Sequence, residues 1–290
     1  MKPIVYYDRK KKKLETERVL GEGFVKLTYG TMAGRILTST LLSRAGFSQA
    51  YGKYQGSKLS KHKIAPFVKD YAIDMGEFED PGFESFNDFF IRRFKPGMRE
   101  FPTAAKDMGA FAEARYYAFE KISEGQTFPV KGFALSAVGL VGSEREAAPF
   151  MGGPVLLARL CPVDYHRFHY PDDGATAREY RIHGPLHSVN PFAIANKDDI
   201  FITNERHVSL LDTKHFGKLA YIEVGALCVG RIVQSHAVNQ PYRRGEEKGY
   251  FLFGGSTVIV LGQPGRWVPE KDLLDHTRRG TETLVRLGDR

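Results

Sequence analysis

Near its C-terminal end the chain reads KGYFLFGGSTVIVL, with Gly254, Gly255, Ser256 and Thr257 set directly before an apolar run from Val258 to Leu261. A short apolar run bounded by turn formers describes a buried β-strand. Two readings of the junction stand. In the first, the glycines form a turn or bulge that feeds the strand, since glycine relieves steric limits where a backbone bends. In the second, Ser256 is a nucleophile. It is not the nucleophile elbow of a hydrolase, which places a glycine two positions after the serine, where this chain has Val258. A strand after the serine leaves little room for an incoming acyl group, whereas Oγ of Ser256 reaches the carbonyl carbon of Gly255 through a five-membered ring. Glycine tolerates the strained backbone that this attack needs. It converts the amide to an ester, elimination cuts the chain, and hydrolysis of the dehydroalanine leaves a pyruvoyl group at the new N-terminus. Such a ketone condenses with an amine and accepts electrons as CO2 leaves, the role a bound pyridoxal fills elsewhere.

A hydroxyl needs a base. The segment LCPVDYHRFHYPDDG carries His166 and His169 three apart, with Asp164, Asp172 and Asp173 around them. An HxxH pair on a helix could ligate a metal, but Pro162 and Pro171 bracket this one and no third ligand follows at a recognisable spacing. A structural or hydrogen-bonding role is favoured, and no metal is expected. In an extended chain residues three apart face opposite sides, which allows each histidine its own task. The segment GAFAEARYYAF sets Glu113 among alanines and aromatics, where a carboxylate is paired or has a raised pKa. The plain reading pairs it with Arg115 or another surface charge. Taken as a set, a serine, a histidine and an acid are what an activated hydroxyl requires: the base takes the proton, and the carboxylate orients the imidazole.

The elements that must position these residues change character near residue 100. Residues 1 to about 22 suggest a short strand pair or arm. From Phe24 to about Phe94 the spacing is helical, as in RILTSTLLSRAGFSQAYGKYQ. A second helix is expected at SKHKIAPFVKDYAI with Pro66 kinking it or in its first turn, and a third at FESFNDFFIRRFKPG, capped near Ser85. Beyond Phe101, runs such as GPVLLARL, FITNERHVSLLDT, LAYIEVGALCVGRIV and STVIVL predict strands. The pattern lacks alternating strands and long helices, so a doubly wound sheet is disfavoured and an α+β fold is expected. The division expected is 1–100, an arm with amphipathic helices, and 101–290, a compact β-rich catalytic domain.

With 290 residues, 42% apolar and 26% charged, the chain is a globular protein, and its net charge of +8 favours anionic partners. The run Arg9–Lys13 is read as a solvated flank, and no nucleic-acid motif accompanies it. Cys161 and Cys228 lie in apolar contexts and are read as buried thiols in a reducing compartment. The N-terminus lacks the apolar core of a secretory signal, and no run approaches the roughly 20 residues that cross a bilayer. The expected location is therefore the cytoplasm or a membrane face. The helices pair an apolar face with a basic one through Lys53, Lys58, Lys61 and Lys63, a pattern that packs on a neighbouring domain or lies in a lipid interface.

From Phe24 to the last residue the chain resembles the phosphatidylserine decarboxylase proenzymes, pyruvoyl enzymes that cut themselves before the serine of a GGST-type motif. The resemblance runs through FNDFFIRRFKPGMREF, AEARYYAF, DYHRFHYPDDG, SVNPFAIAN, NERHVSLLDTKHFG, VGALCVGRI, KGYFLFGGSTVIVL and RRGTETLVRLGDR. It implies cleavage between Gly255 and Ser256 into a large chain, 1–255, and a small chain, 256–290, with the pyruvoyl group derived from Ser256. It implies an acid, a histidine and Ser256 acting together in self-cleavage: Glu113 as the acid, His169 as the base, and His166 at the substrate carboxylate or handling protons, with the histidine order open to reversal. Asp164 is a second orienting acid. Where the family has aspartate in a PAD sequence, this chain has Glu113 in FAEA, one methylene longer. The implied substrate is phosphatidylserine, the implied product phosphatidylethanolamine, and the implied partners an anionic membrane surface and the protein's own small chain, with a homodimer as a further option. The helical region becomes the docking surface of a peripheral protein on the cytoplasmic side of the cell membrane. A pyruvoyl decarboxylase of a soluble amino acid and an uncleaved lipid-binding relative are the alternatives.

Overall fold

A computed structural model describes residues 3–18, 20, 22–43, 45–122, 135–197, 199–227, 231–254 and 256–290. Its strands are β1 (Val5–Asp8), β2 (Lys13–Thr16), β3 (Ala114–Phe119), β4 (Val155–Leu160), β5 (Arg167–His169), β6 (Gly174–Ile182), β7 (Arg206–Thr213), β8 (Lys218–Val224), β9 (Ile232–Gln234), β10 (Pro241–Tyr242), β11 (Glu247–Phe251), β12 (Ser256–Gly262) and β13 (Glu282–Val285). Among the described residues ten of them form one sheet in the order β10-β6-β7-β8-β12-β4-β3-β13-β1-β2, and β5-β11-β9 form a second, smaller one. The pairing of β1 with β13 is parallel and its neighbours pair antiparallel, which makes the large sheet mixed.

The sequence explains which strands lie inside. Every residue of β4 (VLLARL) and β12 (STVIVLG) is buried, as expected of strands covered on both faces. These two pair from Ser256 opposite Leu160 to Leu261 opposite Val155, and the other edge of β12 pairs with β8. β12 is thus held on both sides at the middle of the sheet. β6, next to the edge strand β10, has Thr176 as its one buried residue. The run FITNERHVSLLDT becomes a strand only from Arg206, because Ile200–Thr203 form a helical turn. The architecture is α+β and β-rich. The first two strands belong to the same sheet as those beyond residue 101.

Between β2 and β3 lie the helices α1 (Glu22–Gly30), α2 (Met32–Leu37), α3 (Ala45–Gln55), α4 (Ile64–Tyr71) and α5 (Phe86–Phe90). Pro66 falls in the first turn of α4, where its missing N–H costs no helical bond. Ser85 caps α5 reciprocally: its side chain accepts from Asp88 N at 3.1 Å, and Asp88 accepts from Ser85 N at 3.1 Å. α5 ends at Phe90, so Arg92 lies beyond it. An aromatic cluster of Phe67, Phe86, Phe89, Phe90 and Phe253 joins these helices to the segment leading into β12. Cys161 is a buried free thiol, and Cys228 lies outside the described residues.

Candidate active site

Ser256 is the first residue of β12 and has no exposed surface. Its Oγ lies 3.3 Å from Nδ1 of His166, which is also fully buried. The other ring nitrogen, Nε2, is 2.9 Å from the carbonyl oxygen of Cys161. A carbonyl only accepts, so Nε2 carries the proton and Nδ1 presents its lone pair to the serine hydroxyl. Burial, reinforced by the positive charge of Arg92, pushes His166 down to about 3, which leaves the imidazole neutral at physiological pH. Phe90 stacks on the ring with centroids 3.8 Å apart and fixes its plane. The arrangement is a buried hydroxyl facing a neutral base, with the base in one tautomer.

The turn that delivers His166 begins where β4 ends. Cys161 O accepts from Asp164 N at 2.9 Å as well as from the imidazole, and Cys161 N donates to Asp164 Oδ2 at 2.7 Å. Asp164 thus closes the turn at both ends, and Arg115 of β3 holds it through a 2.5 Å bond from Nη1 to Oδ2. Arg115 also reaches Glu17, just past β2, at 3.1 Å, and Glu17 pairs with Arg159 of β4 at 2.6 Å. Arg159 is completed by Glu282 of β13 at 2.7 Å. Burial alone would raise the Glu17 carboxyl, but Arg159 and Arg115 override it and hold it at about 2. Asp164 therefore contacts the backbone of the turn and Arg115, not an imidazole.

His169, at the end of β5, faces elsewhere. Its Nδ1 is 2.9 Å from Gly245 O, and its buried Nε2 has no hydrogen-bond partner among the described residues. Burial lowers its pKa, so it too is neutral. The structure brings His166, not His169, against Ser256. The physical reason is the Cys161–Asp164 turn, which aims the first histidine of the pair at the head of β12.

Glu113 has both carboxylate oxygens on Arg99, at 2.6 and 2.9 Å, and accepts from Leu287 N at 3.2 Å. Among the described residues neither histidine bonds to it, and Arg115, its expected neighbour in charge, is taken by Asp164 and Glu17. Gly254 adopts φ 145°, a conformation open to glycine and strained for side-chain-bearing residues. Gly255 lies outside the described residues.

The sequence did not single out Phe90, Arg92 or Glu17. The first two sit in FFIRRF, whose helical spacing and basic character suggest a solvated helix, and nothing local marks Glu17 as the partner of residues about a hundred positions away.

A family model described as phosphatidylserine decarboxylase matches residues 86–286. Among curated proteins, the phosphatidylserine decarboxylase proenzyme of Clostridium kluyveri is 38% identical, with 99% of this chain and 97% of that protein aligned. The proenzyme of Clostridium novyi is 37% identical over 99% of this chain and 98% of its own. That of Desulfitobacterium hafniense is also 37% identical, over 99% and 97%.

Proposed function

Because the chain belongs to the phosphatidylserine decarboxylase family, we propose that the buried Ser256–His166 pair converts it from proenzyme to enzyme. The enzyme decarboxylates phosphatidylserine to phosphatidylethanolamine and CO2. The observation that carries the self-cleavage reading is the 3.3 Å contact between Ser256 Oγ and an imidazole nitrogen whose lone pair is directed by the opposite bond to Cys161 O. His166 Nδ1 takes the proton of Ser256 as Oγ bonds to the carbonyl carbon of Gly255. The C–N bond of that peptide then breaks, the serine nitrogen takes up the proton, and an ester replaces the amide. Loss of the Ser256 α-proton expels the Gly255 carboxylate and cuts the chain. Water then replaces the serine nitrogen, which leaves as ammonia, and residue 256 ends as a pyruvoyl group.

The residues fit such a group. Residue 256 is fully buried at the head of a strand bonded on both edges, and Gly254 supplies the backbone freedom a compact ring at the next link requires. Once formed, the pyruvoyl ketone supplies the electron sink for the pair released with CO2. In that stage His169 is the natural proton-handling group, because its Nε2 is buried and uncommitted. The same observation favours a second reading in which His169 takes the serine proton. Substitutions separate the two: with His166 as base, His166→Ala stays in one piece on a denaturing gel while His169→Ala is cut. The opposite pattern restores His169. In the wild type, intact mass should show a fragment spanning Ser256–Arg290 that lacks a primary amine at its N-terminus, and Ser256→Ala should remain whole.

Lipid access is the second part of the proposal. Leu27, Met32, Ile36 and Leu37 of α1 and α2 are exposed, as is Leu59 between α3 and α4, and Lys53, Lys58 and Lys61 are exposed close by in sequence. Among the described residues no helix is long and apolar enough to cross a membrane. We read this region as an interfacial docking surface for an anionic leaflet on the cytoplasmic side.

A further inference from the structure

We propose that Lys248 and Glu223 are positioning residues for self-cleavage: their buried ion pair fixes the register in which β11 hands the chain over to Ser256 at the head of β12. The inference rests on the reading that the chain cuts itself before Ser256, and not on which histidine takes the serine proton.

Lys248 is 1% exposed and Glu223 has no exposed surface. The ammonium lies 2.7 Å from Glu223 Oε1 and donates to Gln234 Oε1 at 2.7 Å. Glu223 Oε2 accepts from Gln234 Nε2 at 3.3 Å and lies 3.3 Å from His207 Nδ1. Burial alone would raise the Glu223 carboxyl, but Lys248 overrides it and holds it below its ordinary value. The rings of Phe168, Tyr170 and Tyr221 surround the ammonium, with centroids 5.8, 6.0 and 5.2 Å away. The pair bridges the two sheets. Glu223 of β8 stands opposite His207 of β7 on one side and Val258 of β12 on the other. Residues opposite each other share a face, as do Val258 and Ser256 two positions apart, so Glu223 and Ser256 lie on one face of the large sheet. Lys248 and Gln234 come from the small sheet, on β11 and β9.

Within β11, Glu247 pairs with His169 and Gly249 with Phe168, so Lys248 is the extra residue of a β-bulge. Register past a bulge depends on which residue is extruded, and a slip by one residue turns every later side chain of the strand to the other face. From the bulge the chain runs through the end of β11 at Phe251 to Ser256, and it joins the large sheet beside Glu223. The segment that contains the scissile link therefore leaves from one partner of the ion pair and arrives next to the other. Burying two opposite charges gains little stability over an apolar pair of similar volume, whereas a buried polar contact selects one register. An aliphatic pair could fill the space among Phe168, Tyr170 and Tyr221, but it would accept a slipped strand as readily. Attack of Ser256 Oγ on the preceding carbonyl is the step that such selection serves, since a misplacement of about 1 Å slows a reaction by about a hundredfold.

The test follows self-cleavage of full-length proenzyme made in a short cell-free pulse, comparing wild type with the paired variant Lys248→Met/Glu223→Leu, which strands neither charge. Each chain is also made in a Ser256→Ala background for urea unfolding. The paired variant should unfold at a urea midpoint no lower than that of its parent, while self-cleavage of the folded chain should slow by about tenfold to a hundredfold. Hydroxylamine cuts an ester but not an amide, leaving a hydroxamate on Gly255 and a free amine on Ser256, so its early fragment yield reports the ester made in the first step. That yield should fall as well. A lowered midpoint with an unchanged rate, the mark of a merely structural pair, overturns the inference. So does a wild-type hydroxylamine yield beside slow cleavage, which would put the effect after the acyl shift. If the paired variant does not fold, judged by circular dichroism, Glu223→Asp decides: it keeps the charge but draws the carboxylate back by one methylene. Cleavage should then slow by at least about threefold, and a wild-type rate overturns the inference. A wild-type chain that stays uncut removes the self-cleavage reading and this inference with it, whereas a cut wild type beside an equally fast paired variant removes this inference only.

Discussion

At the scale of single residues, two contacts on opposite sides of one imidazole set the proposed chemistry. Cys161 O accepts a hydrogen bond from His166 Nε2, and Nδ1 is left to face Ser256. A histidine buried neutral also affects stability. Its folded pKa, about 3, lies below the ordinary value of 6.5, so the unfolded chain binds a proton that the folded chain refuses. The contribution should be fully present above about pH 6.5 and be lost as pH falls below it, at no more than about 1.4 kcal/mol per pH unit. Denaturant unfolding of uncut Ser256→Ala should show this decline, and His166→Asn in the same background should flatten it; equal slopes would remove the argument. The strand that starts at Ser256 was legible in the sequence because turn-forming glycines stand directly before an apolar run there. Which of His166 and His169 lies against Ser256 was not legible, since a three-residue spacing says they point apart but not which faces the strand. The partner of Glu113 was hidden for a similar reason: Arg99 lies 14 positions away, and both acid and base read locally as surface charges.

The next scale is that of the elements that hold those residues. Helix α5 sets Phe90 against the imidazole and leads into Arg92, and its start is fixed by the Ser85–Asp88 box. Ser85→Ala should lower unfolding stability by about 1 kcal/mol, measured by urea titration of the uncut form. The Cys161–Asp164 turn depends on Arg115, whose removal strands the buried carboxylate of Asp164 and leaves Glu17 to Arg159 alone. Arg115→Met should cost about 3–5 kcal/mol and slow self-cleavage even at temperatures where the protein stays folded. Stability within about 1 kcal/mol of the wild type would show that the network contributes little. The cap and the place of Pro66 were readable because both act within one helical turn. The parallel pairing of β1 with β13 was not, because it joins residues at the two ends of the chain through contacts that no local pattern encodes.

The molecule as a whole combines a central sheet with helices on which Leu27, Met32, Ile36 and Lys53 are exposed. Binding to anionic vesicles should weaken as salt rises, and Leu27→Gln with Met32→Gln should reduce sedimentation with vesicles while leaving self-cleavage in solution intact. Equal binding to neutral and anionic vesicles at low salt would rule out the electrostatic part. The amphipathic pattern of this region was visible in the sequence, though what covers its apolar side was not, since a neighbouring domain and a lipid interface select the same composition. The location of residue 256 at the head of β12 has one more effect. A nick there severs the polypeptide at the rim of its most interior strand, yet every ladder bond from β12 to β4 and β8 lies downstream of it. Two pieces made by such a nick should therefore behave as subunits born already assembled, resisting dilution and co-eluting on a native column until the sheet itself melts.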